Sequence, residues 1–245
     1  MRKGYDIAVS FVLAVGVWQL VVWATGVPHY ILPGPYRVWQ SFVFNFPLIM
    51  EHAQITIAEV LIGFVIGAAL GMTTAMHLMV SPAARRFMLP VMVFSQAVPV
   101  FALAPILTLW LGYGIASKIV MAILIIYFPV ASNFFDGLRR CDPGLLDLAQ
   151  TMGASETSTL LRLRLPAALP SLGSGLRLAA VYAPIGAVIG EWVGSSQGLG
   201  YLMLLANGRA KIDLMFAALF VLALFTVALH ALVGRASKRM TDWSG

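Results

Sequence analysis

A serine, an aspartate and a histidine follow one another in this chain in the order used by some hydrolases. Gly194-Ser195-Ser196-Gln197-Gly198 fits G-x-S-x-G, and Asp213 and His230 come after it. That chemistry needs a sharp strand-to-helix turn on an α/β sheet, which exposes the serine and brings a base to it. Here the pentapeptide ends one apolar helical run and His230 lies in another. The sequence therefore predicts a turn at a membrane face, with no catalytic residue. Metal chemistry finds no better footing. His29, His52, His77 and His230 show no H-E-x-x-H or paired spacing, and the single cysteine, Cys141, excludes an intramolecular disulfide or a cysteine cage. No metal site is expected. No G-x-x-x-x-G-K-[ST] phosphate loop occurs, since none of Lys3, Lys118, Lys211 and Lys238 follows a glycine. Nucleotide chemistry, if the protein depends on it, must come from another chain.

The remaining polar candidates lie in or beside long apolar runs, where an ionisable group is costly. Glu59 falls one turn into such a run and is expected to reach the interface or pair there. Glu191, followed by Trp192 and preceded by a glycine-rich helix containing Pro184, is the stronger candidate for contact with a passing solute or with a partner that delivers it. Gln96 and Tyr182 offer hydrogen bonds to a polar solute and form the rest of the predicted pathway set; Asn133 could serve there or brace two helices.

What must position these groups is a membrane bundle. Of the 245 residues 60% are hydrophobic and 11% charged, with a mean hydropathy of +0.88. A hydrocarbon core of about 30 Å takes about 20 apolar residues per helix. The sequence predicts an all-α, polytopic fold in a single domain, 1–245, with about six spans: Ile7–Thr25, Ile55–Val80, Met88–Leu111, Ile115–Phe135, Leu172–Val193 and Leu214–Val233. The Pro-rich stretch after the first span suggests an external connector with a short interfacial helix from Tyr36. Gly63, Gly67 and Gly71, and again Gly186, Gly190 and Gly194, recur every fourth residue, so each set gives a helix face on which a neighbouring backbone packs closely. Pro90, Pro99 and Pro105 place the third span inside a bundle or along a pathway.

Charge sets the topology. The formal charge is +6, but the basic residues are scattered between apolar runs and form no stripe suited to nucleic acid. With the N-terminus inside, twelve of the 16 Lys and Arg residues lie in inner segments; Arg37, Lys118, Arg209 and Lys211 form the outer set. This bias places both termini and the 136–170 loop in the cytoplasm.

That loop contains the most polar helical unit in the chain, residues 142–170. Asp142 before Pro143 reads as an N-cap followed by proline at the first helical position. Leu145, Leu146, Leu148, Ala149 and Met152 make one apolar side, and Gly153 stops the helix. A second short helix is expected after Ser155 and Glu156. Arg162 and Arg164 would complement its C-terminal dipole, and Pro166 and Pro170 would prevent smooth continuation.

These residues resemble the cytoplasmic signature of the permease subunits of binding-protein-dependent ABC importers. That signature runs Glu-Ala-Ala, three residues, Gly, nine residues, Ile, one residue, Leu-Pro. Here it reads Asp147-Leu148-Ala149, three residues, Gly153, nine residues, Leu163, Arg164, Leu165-Pro166. The spacing fits throughout, with Asp147, Leu148 and Leu163 as chemically similar replacements. The resemblance extends to Gly190-Glu191-Trp192-Val193-Gly194 and Gly198-Leu199-Gly200, and is greatest to the branch serving nitrate, sulfonates, taurine and thiamine-type pyrimidine precursors.

It implies a type I importer permease in the inner membrane that moves a small polar solute by alternating access. A thiamine-type pyrimidine is the leading substrate, ahead of sulfonate, taurine or nitrate. Implied partners are a second copy of the permease, two ATPase subunits holding the ATP and Mg, an external solute-binding protein and the lipid bilayer. Asp147, Ala149, Met152, Gly153, Ala154, Glu156, Leu165 and Pro166 would form the coupling contact with the ATPase. The alternative, an ion-coupled secondary carrier, calls for acidic residues deep in the spans, and Glu59 and Glu191 look peripheral. An intramembrane enzyme would need the matched nucleophile and base that the chain lacks.

Overall fold

Residues 2–241 are described in a computed structural model, and every regular element among them is helical. In chain order these are α1 (Arg2–Thr25), α2 (Pro35–Phe44), α3 (Phe46–Val80), α4 (Pro82–Ala97), α5 (Val100–Leu111), α6 (Ile115–Arg139), α7 (Pro143–Thr151), α8 (Glu156–Thr159), α9 (Leu165–Gly194), α10 (Leu199–Gly208) and α11 (Ile212–Thr241). Proline in the first turn starts α2, α3, α4 and α7. Its fixed φ suits that turn and its missing N–H is an orphan there anyway. Ser81 Oγ accepts from the Ala84 amide at 3.1 Å, so α4 has a side-chain cap as well.

Four helical stretches are long and apolar enough to cross a membrane: Phe46–Val80, Ile115–Arg139, Glu156–Gly194 and Ile212–Thr241. The bent pair α4 and α5 makes a fifth if taken as one span. The first expected span is α1, whose apolar part, Val9–Thr25, is shorter. α1 meets the bundle through Trp18, which stacks on Phe216 of α11 at 5.7 Å between ring centroids. The interfacial helix expected from Tyr36 is α2.

Three expectations about the helices are corrected. The second span starts at Phe46, nine residues before the expected Ile55, because Asn45 and Pro47 start a helix ahead of the purely apolar run. The third span is not one helix: α4 and α5 meet at 100°. Pro99 disfavours helical geometry at the residue before it, and Val98 is extended at φ −82°, ψ 119°. Conversely, Pro166 and Pro170 do not end a helix. Residues 156–194 run on without a break: the turn Leu160–Arg164 widens to a π-helix just before Pro166, and Pro170 is carried inside α9. Arg164 accordingly serves no helix end of its own. Its guanidinium donates to the carbonyl of Leu138 at 3.1 Å and ties this rod to the end of α6.

α6 is the centre of the bundle, packed between α3 and α9. Both glycine ladders face it. A Cβ on Gly63 would lie 2.7 Å from Ala122 Cβ, one on Gly67 2.6 Å from Ile126, and one on Gly71 2.9 Å from Val130. From the other side, a Cβ on Gly186 would meet the Ala122 backbone at 2.7 Å and one on Gly190 the Lys118 backbone at 3.1 Å; one on Gly194 would instead collide with the Thr108 side chain of α5. Helices of this kind associate through van der Waals contact and not through expulsion of water, so the small residues determine how close they come. Valine at Gly186 should destabilise the bundle by about 1–3 kcal/mol. Thermal unfolding in detergent should show a lower midpoint for Gly186→Val, with Gly16→Val, where a Cβ meets nothing within 4 Å, unchanged.

Candidate functional site

One end of the bundle carries the 142–170 unit. Asp142 caps α7 by accepting from the Gly144 amide at 2.7 Å, and Ser155 caps α8 by accepting from Ser158 at 3.2 Å. Gly153 joins them at φ +70°, a conformation that glycine adopts without steric cost, and a Cβ there would meet nothing. The turn closes by hydrogen bonds from Gly153 N to Gln150 O and Ala154 N to Ala149 O, a helix C-terminal arrangement. Ala149 is buried, Leu165 and Pro166 are half-buried, and Asp147, Gly153, Ala154 and Glu156 are exposed. Met152 is 77% exposed, and Leu145 and Leu148 are open beside it. An apolar ridge standing clear of the bundle, flanked by carboxylates, is a docking surface in its chemistry. The end of α3 and the start of α4 are fastened nearby. Arg85 donates to the carbonyls of Leu78 and Met79, while Arg85 and Arg139 both lie over the Phe135 ring, at 5.7 and 5.6 Å.

In the middle, the bend between α4 and α5 opens a cavity of about 510 Å³ against α6. Its walls are apolar, with Phe87, Val91 and Leu124 among them, and Ser95, Gln96 and Tyr127 supply the polar groups. Tyr127 Oη is within 3.1 Å of Thr74 Oγ1, and Ser95 Oγ donates to Met92 O. Among the described residues no charged side chain lines the cavity. Gln96 is therefore brought to a solute-sized space. Tyr182 is exposed on α9 and does not line it, and Asn133 is taken up bracing α6, its amide donating to Pro129 O at 2.7 Å.

At the far end of α9, roughly 45 Å along the helix from Leu165, lies a buried polar knot that the sequence reading placed differently. Glu191, expected on the solute path, is 1% exposed. Its Oε1 accepts from Thr56 Oγ1 at 2.6 Å and its Oε2 from the Gly200 amide in the first turn of α10. Thr56 Oγ1 in turn accepts from Leu199 N at 2.7 Å, and His52 Nδ1 accepts from Gly198 N at 3.0 Å. The orphan amides that begin α10 are thus satisfied by side chains of α3 and α9, and a carboxylate suits that positive helix end. Gly198 at φ +104° allows the approach, since a Cβ there would fall 2.2 Å from the Glu191 carboxyl carbon.

Two more expectations are overturned here. Glu59 does not reach the interface; it is 2% exposed and contacts Glu191, because α3 begins well before it and carries it inside. Lys118, counted as an outer loop charge, is 1% exposed in α6. Its ammonium donates to the carbonyls of Tyr113, Gly114 and Gly194, closing the last turn of α9. His52, Thr56 and Lys118 were not singled out from the sequence. His52, Thr56 and Glu59, spaced by four and three residues in an apolar run, form one polar stripe on one helix face, which was a readable signal. The rejected hydrolase motif stays rejected. Ser195 Oγ accepts from Gln197 N within its own turn, and His230 lies eighteen residues into α11.

An apolar helical bundle with a solute-sized cavity and a stalked apolar ridge at one end defines a membrane transport subunit that works with partners. Over residues 46–242 the chain matches the family described as the binding-protein-dependent transport system inner membrane component, and it belongs to that family. It is 50% identical over 214 residues to a probable ABC transporter permease protein of Haemophilus influenzae, covering 87% of each chain. It is 33% identical over 247 residues to the formylaminopyrimidine transport permease protein ThiX of Halalkalibacterium halodurans, covering 99% of this chain and 98% of that one. The fold superimposes on an inward-facing MetNI methionine ABC transporter with a TM-score of 0.63 at 20% identity, over 79% of this chain and 94% of that one. The protein is thus an ABC importer permease subunit of type I fold, and the ion-coupled carrier is set aside.

Alanine at Gly198 combines a strained φ with a clash against Glu191. Gly198→Ala should lower the detergent unfolding midpoint and increase amide hydrogen exchange in 198–202, while exchange in 142–156 stays at the wild-type level.

Proposed function

We propose that the chain imports a neutral, flat nitrogen heterocycle of the thiamine-precursor pyrimidine type. The observation that carries this reading is the cavity at the α4–α5 bend: it is of the size of a small-molecule site, apolar, and offers an amide, a hydroxyl and a phenol with no cation among the described residues. A sulfonate, taurine or nitrate would enter it without a charge partner, at the desolvation cost of an unpaired ion. An aromatic ring gains there from apolar contact, and its ring nitrogens find donors and acceptors in Gln96, Ser95 and Tyr127. The full-length similarity to a permease named for formylaminopyrimidine supports the same reading.

The subunit works, in this proposal, as a homodimer with two ATPase subunits and an external binding protein. The ATP and Mg belong to the ATPase. Asp147, Ala149, Met152, Gly153, Ala154 and Glu156 form the docking ridge, and Leu165 and Pro166 join it to the bundle. Its motion passes through the 156–194 rod to the far end, while the bend at Val98–Pro99 alters the cavity. The ridge and both termini face the cytoplasm. With Lys118 withdrawn from the outer set because it is buried, the basic residues divide twelve to three instead of twelve to four.

Two experiments test this. The full complex, reconstituted in proteoliposomes with its binding protein, should take up formylaminopyrimidine in an ATP-dependent manner and leave taurine outside; taurine or sulfonate uptake alone would overturn the substrate assignment. Separately, Gly153→Val puts a β-branched residue at φ +70° in an exposed turn, a strain of about 1–3 kcal/mol. It should fold normally yet weaken capture of the ATPase by about tenfold, each factor of ten being worth about 1.4 kcal/mol. Undiminished capture would remove the ridge from the coupling role.

A further inference from the structure

Two carboxylates are in contact inside the bundle, Glu59 of α3 and Glu191 of α9, with the Lys118 ammonium of α6 buried in the same region; none of the three is more than 2% exposed. Two carboxylates against one ammonium would leave a net negative charge in a low-dielectric interior, and like charges in contact do not both ionise readily. The hydrogen bonds say which acid keeps its charge. Glu191 accepts from Thr56 Oγ1 and from the Gly200 amide, and donors aimed at both oxygens favour the carboxylate. Glu59 is in the opposite position. Its Oε2 is buried with no hydrogen-bond donor among the described residues, while the group it contacts, Glu191, is an acceptor. As an ion Glu59 is an orphan; as an acid it has a partner.

We propose that Glu59 and Glu191 form an acid–carboxylate pair holding one shared proton, and that this pair is the positioning device that latches the start of α10 onto α3 and α9. Glu59 donates to Glu191, Glu191 holds the α10 amides, and Lys118 balances the single remaining charge while closing the C-terminal turn of α9 through Gly194. The other titratable groups around the pair do not compete for the role. His52, also on α3, accepts from the Gly198 amide on Nδ1, so its proton sits on Nε2 and the ring is neutral. Tyr201 of α10 stands against that ring at 5.9 Å, and Glu51 of α3 is exposed. A proton is a small tie that conformational change can make or break. Loss of it puts two carboxylates side by side and frees α10, at the end of the bundle opposite the coupling ridge.

The test uses the full-length permease, alone in detergent and reconstituted with its ATPase and binding protein. Infrared spectra of wild type should contain the C=O stretch of a buried protonated carboxylic acid, and Glu59→Gln should lack it. The Gln amide still donates to Glu191, so Glu59→Gln should transport within about twofold of wild type, whereas Glu191→Gln should lose about tenfold or more, a difference of about 1.4 kcal/mol per factor of ten. A wild-type spectrum without the band, or a band that persists in Glu59→Gln, would each overturn the pair. The spectral readout needs no substrate, so failure of the pyrimidine assignment would leave it standing.

Discussion

Close approach of helix backbones to α6 is the constraint on which the rest of this permease depends. In a bilayer the lipid tails are as apolar as leucine, so a helix gains nothing from leaving water and must gain from contact instead. Gly63, Gly67 and Gly71 on one side, and Gly186 and Gly190 on the other, bring α3 and α9 against Ala122, Ile126, Val130 and Lys118 with no room for a Cβ. Surfaces packed this closely move as units. The helical backbone departs from regular geometry away from these ladders, at the Val98–Pro99 bend and in the π-helical turn at 160–164.

The two ends of α9 divide the work. At its start the helix continues from the exposed α7–α8 ridge through a rod that Arg164 ties to α6. At its finish it supplies Glu191 to the amides of α10 and the Gly194 carbonyl to Lys118. The ridge and the opposite end are thus joined by continuous helical backbone and not by a chain of loose contacts. The cavity by Gln96 lies between, beside α6, where a change in the α4–α5 angle alters its volume directly.

Much of this was legible in the sequence because the governing physics is local. Hydropathy over about 20 residues announces helices in lipid, and Asp142-Pro143 and Gly153 carry the start and stop of α7 in their own backbone preferences. The signature spacing from Asp147 to Pro166 is likewise a property of one continuous segment. Prolines were less readable, since the same missing N–H broke the helix at Pro99 but was absorbed at Pro166 and Pro170, according to what the neighbouring turn could accommodate.

By itself, then, the sequence determined the fold class, the family, the small-residue faces and the position of the exposed α7–α8 ridge, all of which follow from residue type and period along one chain segment. Only the tertiary structure decided the fate of the buried charges. Glu59, Lys118 and Glu191 are separated by 59 and 73 positions in sequence. Each alone reads as a residue near an interface. Whether such a group meets water, a helix end or another carboxylate depends on how three helices register against each other, and no one-dimensional pattern carries that register.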